Sequence, residues 1–226
     1  MEQFQQTIAY SYKSETREIE IGPSSSVELT LPPEIRFGAV GEMDKGVFFQ
    51  SVDGVRLSAT AFGAEYSSSD TYQLLPCVYL PSKNYEYYAI SVAKEIRVLI
   101  EEGEEFILPP TGNSTVVLIA SEDSTTVTIT PSQNVEMIKG TTTPAGTSLK
   151  LTIGQREAVF LSSHEDLTGT HVVSDKPLAL FSGHECGNMP FDLQFCDHMV
   201  EQISPIATWG IKFYTASFMT RQLDRF

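Results

Sequence analysis

Two cysteines and two histidines stand as mirror images across a short gap, as His184-Glu185-Cys186 and Cys196-Asp197-His198. Two thiolates and two imidazoles are the donor set of a structural zinc site. Zinc-finger ligand pairs, however, are usually separated by roughly two to four residues. Here a single residue separates each His from its Cys, a spacing that in a strand aims both side chains to one face. The competing chemistry is oxidation. A Cys186–Cys196 bond would close a small surface loop and contribute about 2–3 kcal/mol through chain entropy. The crosslink is the reading adopted, with the metal site as its alternative. The third cysteine, Cys77, is then odd; it reads as a buried small hydrophobe, with an intermolecular bridge as the alternative.

Other residues bear on the same chemistry. Asn113-Ser114-Thr115 is an N-glycosylation acceptor, which agrees with passage through an oxidising compartment. Candidate contact residues are His184, Glu185, Asp192, Asp197 and His198 around the crosslink, with Tyr85 and Tyr87 upstream. Tyr85, Tyr87 and Tyr88 alternate faces, so one side is expected in the core and the other on the surface, where tyrosine suits a protein or glycan contact. Ser162 and Ser163 beside His164-Glu165-Asp166 have a nucleophile–base composition, but a triad is recognised by geometry and not by adjacency. No G-x-S-x-G elbow, P-loop, H-E-x-x-H or G-x-G-x-x-G occurs. No catalytic residue, cofactor or resident metal is assigned. Asp166, Asp175 and Asp197 are oxygen donors of the kind calcium takes, and are read as turn caps. Trp209, the sole tryptophan, is read as core packing.

The elements that must position these residues are strands. Arg17–Ile21, Val27–Leu31, Thr126–Thr130 and Leu149–Ile153 alternate with period two, and Gly, Pro, Asn, Asp or Ser interrupts such runs at short intervals. Further strands are expected at 46–51, 55–61, 85–92, 116–120, 158–162, 171–174, 178–182 and 211–216. Ser121–Ser124 reads as a tight hairpin turn, and Pro177 as a strand start where its missing N–H costs least. Ile90–Glu102 is the one stretch that also fits a helix.

The sequence also reads as one unit stated twice. Ser26–Leu31 matches Ser148–Ile153, Gly46–Ser51 matches Gly169–Ser174, and Gln73–Pro76 matches Gln202–Pro205. The expectation is an all-β protein with two tandem sandwich-like repeats of about eight strands each. They would occupy residues 1–107 and 108–217, leaving 218–226 as a tail or the start of a further repeat. The alternative is part of a β-propeller.

With 226 residues and 41% hydrophobic composition there is enough apolar material for a core. A net charge of −14 argues against nucleic acid and anionic membrane surfaces. No apolar run reaches the roughly 20 residues that cross a bilayer. MEQFQQTIAYSYK lacks the apolar core of a signal peptide, so a secreted chain would have its leader removed or upstream. The end, Arg221–Phe226, has no turn or cap, and a piece of a longer protein is expected.

One resemblance gathers many of these residues. Asp166-Leu-Thr-Gly-Thr170, Ser174-Asp-Lys-Pro177, Phe181-Ser-Gly-His-Glu-Cys186, Cys196-Asp-His198, Glu201-Gln202 and Thr208-Trp-Gly210 resemble the N-terminal domain family of IgGFc-binding protein, as does the stretch 120–129. The likeness is strongest over residues 114–221 and weaker over 46–92. It implies a secreted module of large mucin-associated, multidomain proteins; with the Asn113 acceptor, the reading is a glycoprotein acting in adhesion or recognition. The partner class would be protein or glycan of the matrix or mucus, with immunoglobulin Fc entering through the family name alone. A structural building block that self-associates into an extracellular array or filament is the alternative function.

Overall fold

A strand needs a hydrogen-bonded neighbour, so the pairing scheme decides which alternating runs become strands. The computed structural model describes residues 6–12, 15–36, 44–54, 56–65, 68–92, 97–101, 104–108, 112–138, 141–187 and 196–215. It is all β, and its strand pairs are antiparallel. In chain order the strands begin with β1 (Gln6–Tyr12), β2 (Glu15–Ile21), β3 (Val47–Ser51), β4 (Ala59–Glu65), β5 (Ser68–Leu74) and β6 (Tyr85–Tyr88). There follow β7 (Arg97–Glu101), β8 (Glu104–Leu108), β9 (Ser114–Ala120), β10 (Thr125–Thr130), β11 (Val135–Ile138) and β12 (Thr141–Thr143). The last are β13 (Leu149–Ile153), β14 (Ala158–Ser163), β15 (His171–Ser174), β16 (Leu178–Gly187) and β17 (Asp197–Ile203).

Two sheets form the sandwich. One has the order β13-β10-β15-β6 and the other β12-β11-β14-β9-β16-β17. Residues Val116, Leu118 and Ala120 of β9 point inward, and their outward neighbours are half-buried. Val127 and Ile129 of β10, Val172 of β15, Leu161 of β14 and Leu178 and Leu180 of β16 join them in one apolar core. These are mostly β-branched or leucine side chains, which fill the pleated surface between two sheets well. Outside the sandwich are a three-stranded sheet, β2-β1-β3, and the hairpin β4-β5, both ahead of β6, and the hairpin β7-β8 between β6 and β9. Among the described residues the sheets fit a sandwich, and the propeller alternative is not shown.

The turn at Ser121–Ser124 departs from expectation. It joins β9 to β10, which lie in different sheets, so it is an arch between layers and no hairpin. The reason is occupancy. β9 is already flanked by β14 and β16, and β10 by β13 and β15. Ser124 takes a left-handed φ of 52°, and Thr125 Oγ1 donates to the Glu122 carbonyl at 2.7 Å to hold the bend. Pro177 sits just before β16 as expected, its carbonyl accepting from both the amide and hydroxyl of Ser121.

Some alternating runs stay unpaired. Residues 27–31 form no strand, and neither do 211–215, the described part of 211–216. The strand expected over 55–61 begins only at Ala59. The run at 85–92 pairs only as far as Tyr88, after which Ala89 exchanges backbone hydrogen bonds with Thr170 and Gly169 in a turn. Within the helix-compatible stretch, Arg97–Glu101 is a strand. The first of the matched segments is thus a strand at 149–153 and irregular at 26–31. β6, placed by sequence in the first repeat, pairs with β15 beyond the expected boundary at 107/108.

That pairing buries Tyr85 and Tyr87 at 2% and 1% exposure, which corrects their reading as surface contact residues. Tyr88 is the outward member. The Tyr87 hydroxyl donates to the Leu178 carbonyl of the facing sheet at 3.1 Å. Burial pushes this phenol up to about 12, its backbone hydrogen bond with Leu178 pulling the other way. The folded value lies above the ordinary one, so the associated stability is complete below pH ~10 and is lost as pH rises through about 12. Urea midpoints measured from pH 9 to 12 should fall steeply in the native chain. Tyr87→Phe should start about 1 kcal/mol lower, with Leu178 left unpaired, and fall less steeply. Parallel curves would contradict the assignment.

Candidate recognition site at the crosslinked end of the sandwich

β16 and β17 form the outer hairpin of the six-stranded sheet, and the ends that the chain connects are also tied by a Cys186–Cys196 disulfide with Cα atoms 5.0 Å apart. Regular pairing runs from Leu180↔Ile203 to His184↔Met199 and resumes at Gly187↔Asp197 after a bulge. A bulge bends its strand and redirects side chains. Glu185 consequently faces solvent between buried His184 and half-buried Cys186.

The two histidines do not meet. His184 lies opposite Met199 and is on the core face with Leu180 and Ser182, 5% exposed. His198, one residue from Met199, points to the opposite face, where its Nδ1 is 3.8 Å from Asp70 Oδ2. With both sulfurs in the crosslink and the imidazoles on opposite faces, the four-ligand zinc arrangement is not assembled. Among the described residues no group of three or more metal-ligating side chains is gathered. Desolvation holds the His184 imidazole below its ordinary value, against the opposing pull of the Glu185 and Asp166 carboxylates. Its Nδ1 accepts from the Cys186 amide at 3.0 Å, which fixes the ring while the chain turns into the bulge.

Asn113 and Glu185 bind each other twice. The Asn113 amide donates to Glu185 Oε2 at 2.9 Å, and the Glu185 amide donates to the Asn113 carbonyl at 2.9 Å. Gly112 must be glycine here: φ is +76°, and a Cβ would lie 2.9 Å from the Cys186 nitrogen. Behind this rim, Ser91 Oγ donates to the Gly183 carbonyl at 2.5 Å and accepts from Ser114 Oγ at 2.6 Å. Ser114 Oγ in turn accepts from the Leu167 amide at 3.0 Å. A short hydroxyl chain therefore braces β9, β16 and the 164–170 turn. Asp197 is exposed beside the crosslink, where its Oδ1 accepts from the His198 amide at 3.0 Å. Asp192 lies outside the described residues.

The remaining sequence candidates fall elsewhere. Ser163 Oγ donates to the Asn134 carbonyl at 2.7 Å and accepts from the Glu165 amide, closing a turn and leaving no poised nucleophile. Asp166 and Asp175 cap turns through Thr168 and Thr126. Trp209 is 48% exposed and not in the core, because the 3-10 turn at Ile206–Thr208 swings it outward and its Nε1 donates to the Ser204 carbonyl. Cys77 is unpaired and half-buried, and desolvation raises its thiol above the ordinary range.

Sequence reasoning missed how β5 is fastened to this site. Asp70 Oδ2 accepts from the Val200 amide at 2.7 Å. Gln202 clamps Leu75 at two points: its Oε1 accepts from the Leu75 amide at 2.7 Å, and its Nε2 donates to the Leu75 carbonyl at 3.0 Å. Tyr72 meets Phe181 edge-on at 5.7 Å between ring centroids. The β4–β5 hairpin thus covers the outer side of β17, an edge that would otherwise invite strand addition. No feature of residue type or spacing at Gln202 signals the clamp in the sequence. Gln202→Leu should cost about 1–2 kcal/mol through two orphaned backbone groups. Amide exchange at Leu75 should accelerate in the same variant, and unchanged exchange would contradict the clamp.

A family model described as IgGFc binding protein matches residues 70–225, starting at Asp70 and taking in the whole sandwich. The chain belongs to the IgGFc-binding protein family. A human relative, "IgGFc-binding protein", is 31% identical over 115 residues, which is 49% of this chain and 2% of the relative. The chain therefore spans a small fraction of that relative's length. No solved structure matches the chain. The family resemblance read from the sequence is borne out, and Ser174–Pro177, Phe181–Cys186 and Glu201-Gln202 all fall within the matched residues. Those segments mark the start of β16, its bulged end and the clamp on Leu75.

Proposed function

We propose that this chain is an extracellular recognition module that binds a protein or glycan partner through the crosslinked end of β16 and β17, without chemical turnover. One observation carries the reading. The disulfide holds the exposed Glu185, Asp197 and His198 on a bulged rim whose backbone is braced from behind by Ser91, Ser114 and Gly183. Rigid backing lowers the ordering cost of binding, which is what a contact surface needs and a covering loop does not. The disulfide and the family membership support secretion. The charged rim favours partners with basic or hydroxyl-rich surfaces. Immunoglobulin Fc is one probe, named by the human relative, beside mucin glycopeptides and matrix proteins.

The test is surface-immobilised binding against those three probe classes with the native chain and with Glu185→Ala/Asp197→Ala. The expected result is saturable binding of one class that weakens at least about tenfold in the double variant, the usual size of a contact hot spot. Equal binding by both chains would remove the rim from the reading.

Assembly into an array is a second reading, favoured by Ile211, Phe213 and Tyr214, which are 96%, 80% and 97% exposed in one unpaired stretch. Exposed apolar patches mark contact sites when contiguous. Light scattering at rising concentration checks it: association that Ile211→Ser/Phe213→Ser abolishes is expected, and a monomer throughout removes this reading.

A further inference from the structure

The acceptor Asn113-Ser114-Thr115 lies at the entry to β9, a central strand flanked by β14 and β16. Asn113 itself is half-buried, but Ser114 is 1% exposed, with its hydroxyl locked between Ser91 and Leu167. The backbone on either side is held too: Asn113 by both of its bonds to Glu185, and Ser114 and Thr115 opposite His184 and Gly183. A transferase must draw the acceptor triplet into its own groove, which the folded sheet forbids. The crosslink a few ångströms away is independent evidence of an oxidising compartment, where such transferases work.

We propose that Asn113 carries an N-linked glycan, and that it is added only before β9 enters its sheet. The inference rests on the secretory reading given above. In the transfer a bond forms between Asn113 Nδ2 and the sugar C1 while the C1–O bond to a lipid-linked oligosaccharide diphosphate breaks. The diphosphate leaves with the electron pair, and one amide proton is lost to solvent. Once the strands close, the sugar is fixed on the rim next to Glu185 and Cys186, because Gly112 and Asn113 pack against those residues.

The experiment expresses the full chain behind a cleavable leader in a eukaryotic secretory host. Intact mass and amidase release in heavy-oxygen water then locate the glycan. The expected result is a secreted, crosslinked chain glycosylated at Asn113, with the mass increment gone in both Asn113→Gln and Thr115→Ala. A solubilised transferase with lipid-linked donor should modify the reduced, unfolded chain faster than the folded, crosslinked chain by more than about tenfold, since a central strand opens only with global unfolding. A secreted, crosslinked chain with bare Asn113 overturns the inference and leaves the secretory reading standing. Equal rates on folded and unfolded chains overturn the order of events. A chain neither exported nor crosslinked in that host overturns both.

Discussion

Gly183→Ala should destabilise the protein by about 3 kcal/mol or more, at the upper end of what overpacking costs. Gly183 lies in the middle of β16, paired with Val200 on the face turned toward β5. A Cβ there would stand 1.9 Å from the Met199 carbonyl oxygen and 2.7 Å from its carbon. Both are backbone atoms, so no rotamer change relieves the overlap, and β17 would have to move. It is poorly placed to do so. The disulfide holds one end, Gln202 clamps the other to Leu75, and Asp70 bonds the amide of Val200. The Gly183 carbonyl also anchors Ser91, so a shifted β16 would break the hydroxyl chain behind the rim. Urea unfolding followed by far-ultraviolet dichroism measures the loss. A variant within about 1 kcal/mol of the native chain would mean that the β16–β17 pair is looser than its partners imply.

Removing the crosslink, as Cys186→Ala/Cys196→Ala, should cost about 2–3 kcal/mol by the chain-entropy argument for a sequence separation of 10. In a chain of this size that corresponds to a fall of about 4–12 °C in Tm. The damage should be local first. His184 is fixed by the Cys186 amide, and Glu185 holds Asn113, so both contacts sit on the tied end. Hydrogen exchange should rise at residues 184–187 and 196–199 well before it rises in β9. Double cysteine replacement with unchanged Tm, or with uniform exchange across the sheet, would contradict this account. Binding by the rim should weaken in parallel, because loose side chains must be ordered again on contact.

Much of this was legible in sequence, for reasons that differ by element. β10 and β13 alternate because each has one face in the core and one outward, and that asymmetry is written directly in residue type, whereas β9, β14 and β16 are read from short apolar runs bounded by turn residues. Residues 27–31 carry the same alternation without a neighbouring strand, and nothing local distinguishes the two cases. The arch at Ser121–Ser124 was unreadable as an arch because a turn motif specifies the bend and not the sheet that each arm joins. Tyr85 and Tyr87 were misplaced for the same reason: their burial follows from pairing with His171–Ser174, far along the chain. At the site, the two cysteines were visible by spacing. The Gln202 clamp was not, since an amide side chain looks the same whether it faces water or a backbone.

The placement of β6 sets where the gene can be divided. An expression fragment beginning at residue 108 would lack Tyr85–Tyr88 and uncover one flank of β15, together with a hollow where two aromatic rings belong. It would also lose Leu75 and Asp70, the partners of Gln202 and Val200. Such a fragment should be recovered in inclusion bodies. A piece starting upstream of Ala59 retains β4, β5 and β6 and is the shorter unit suited to crystallisation.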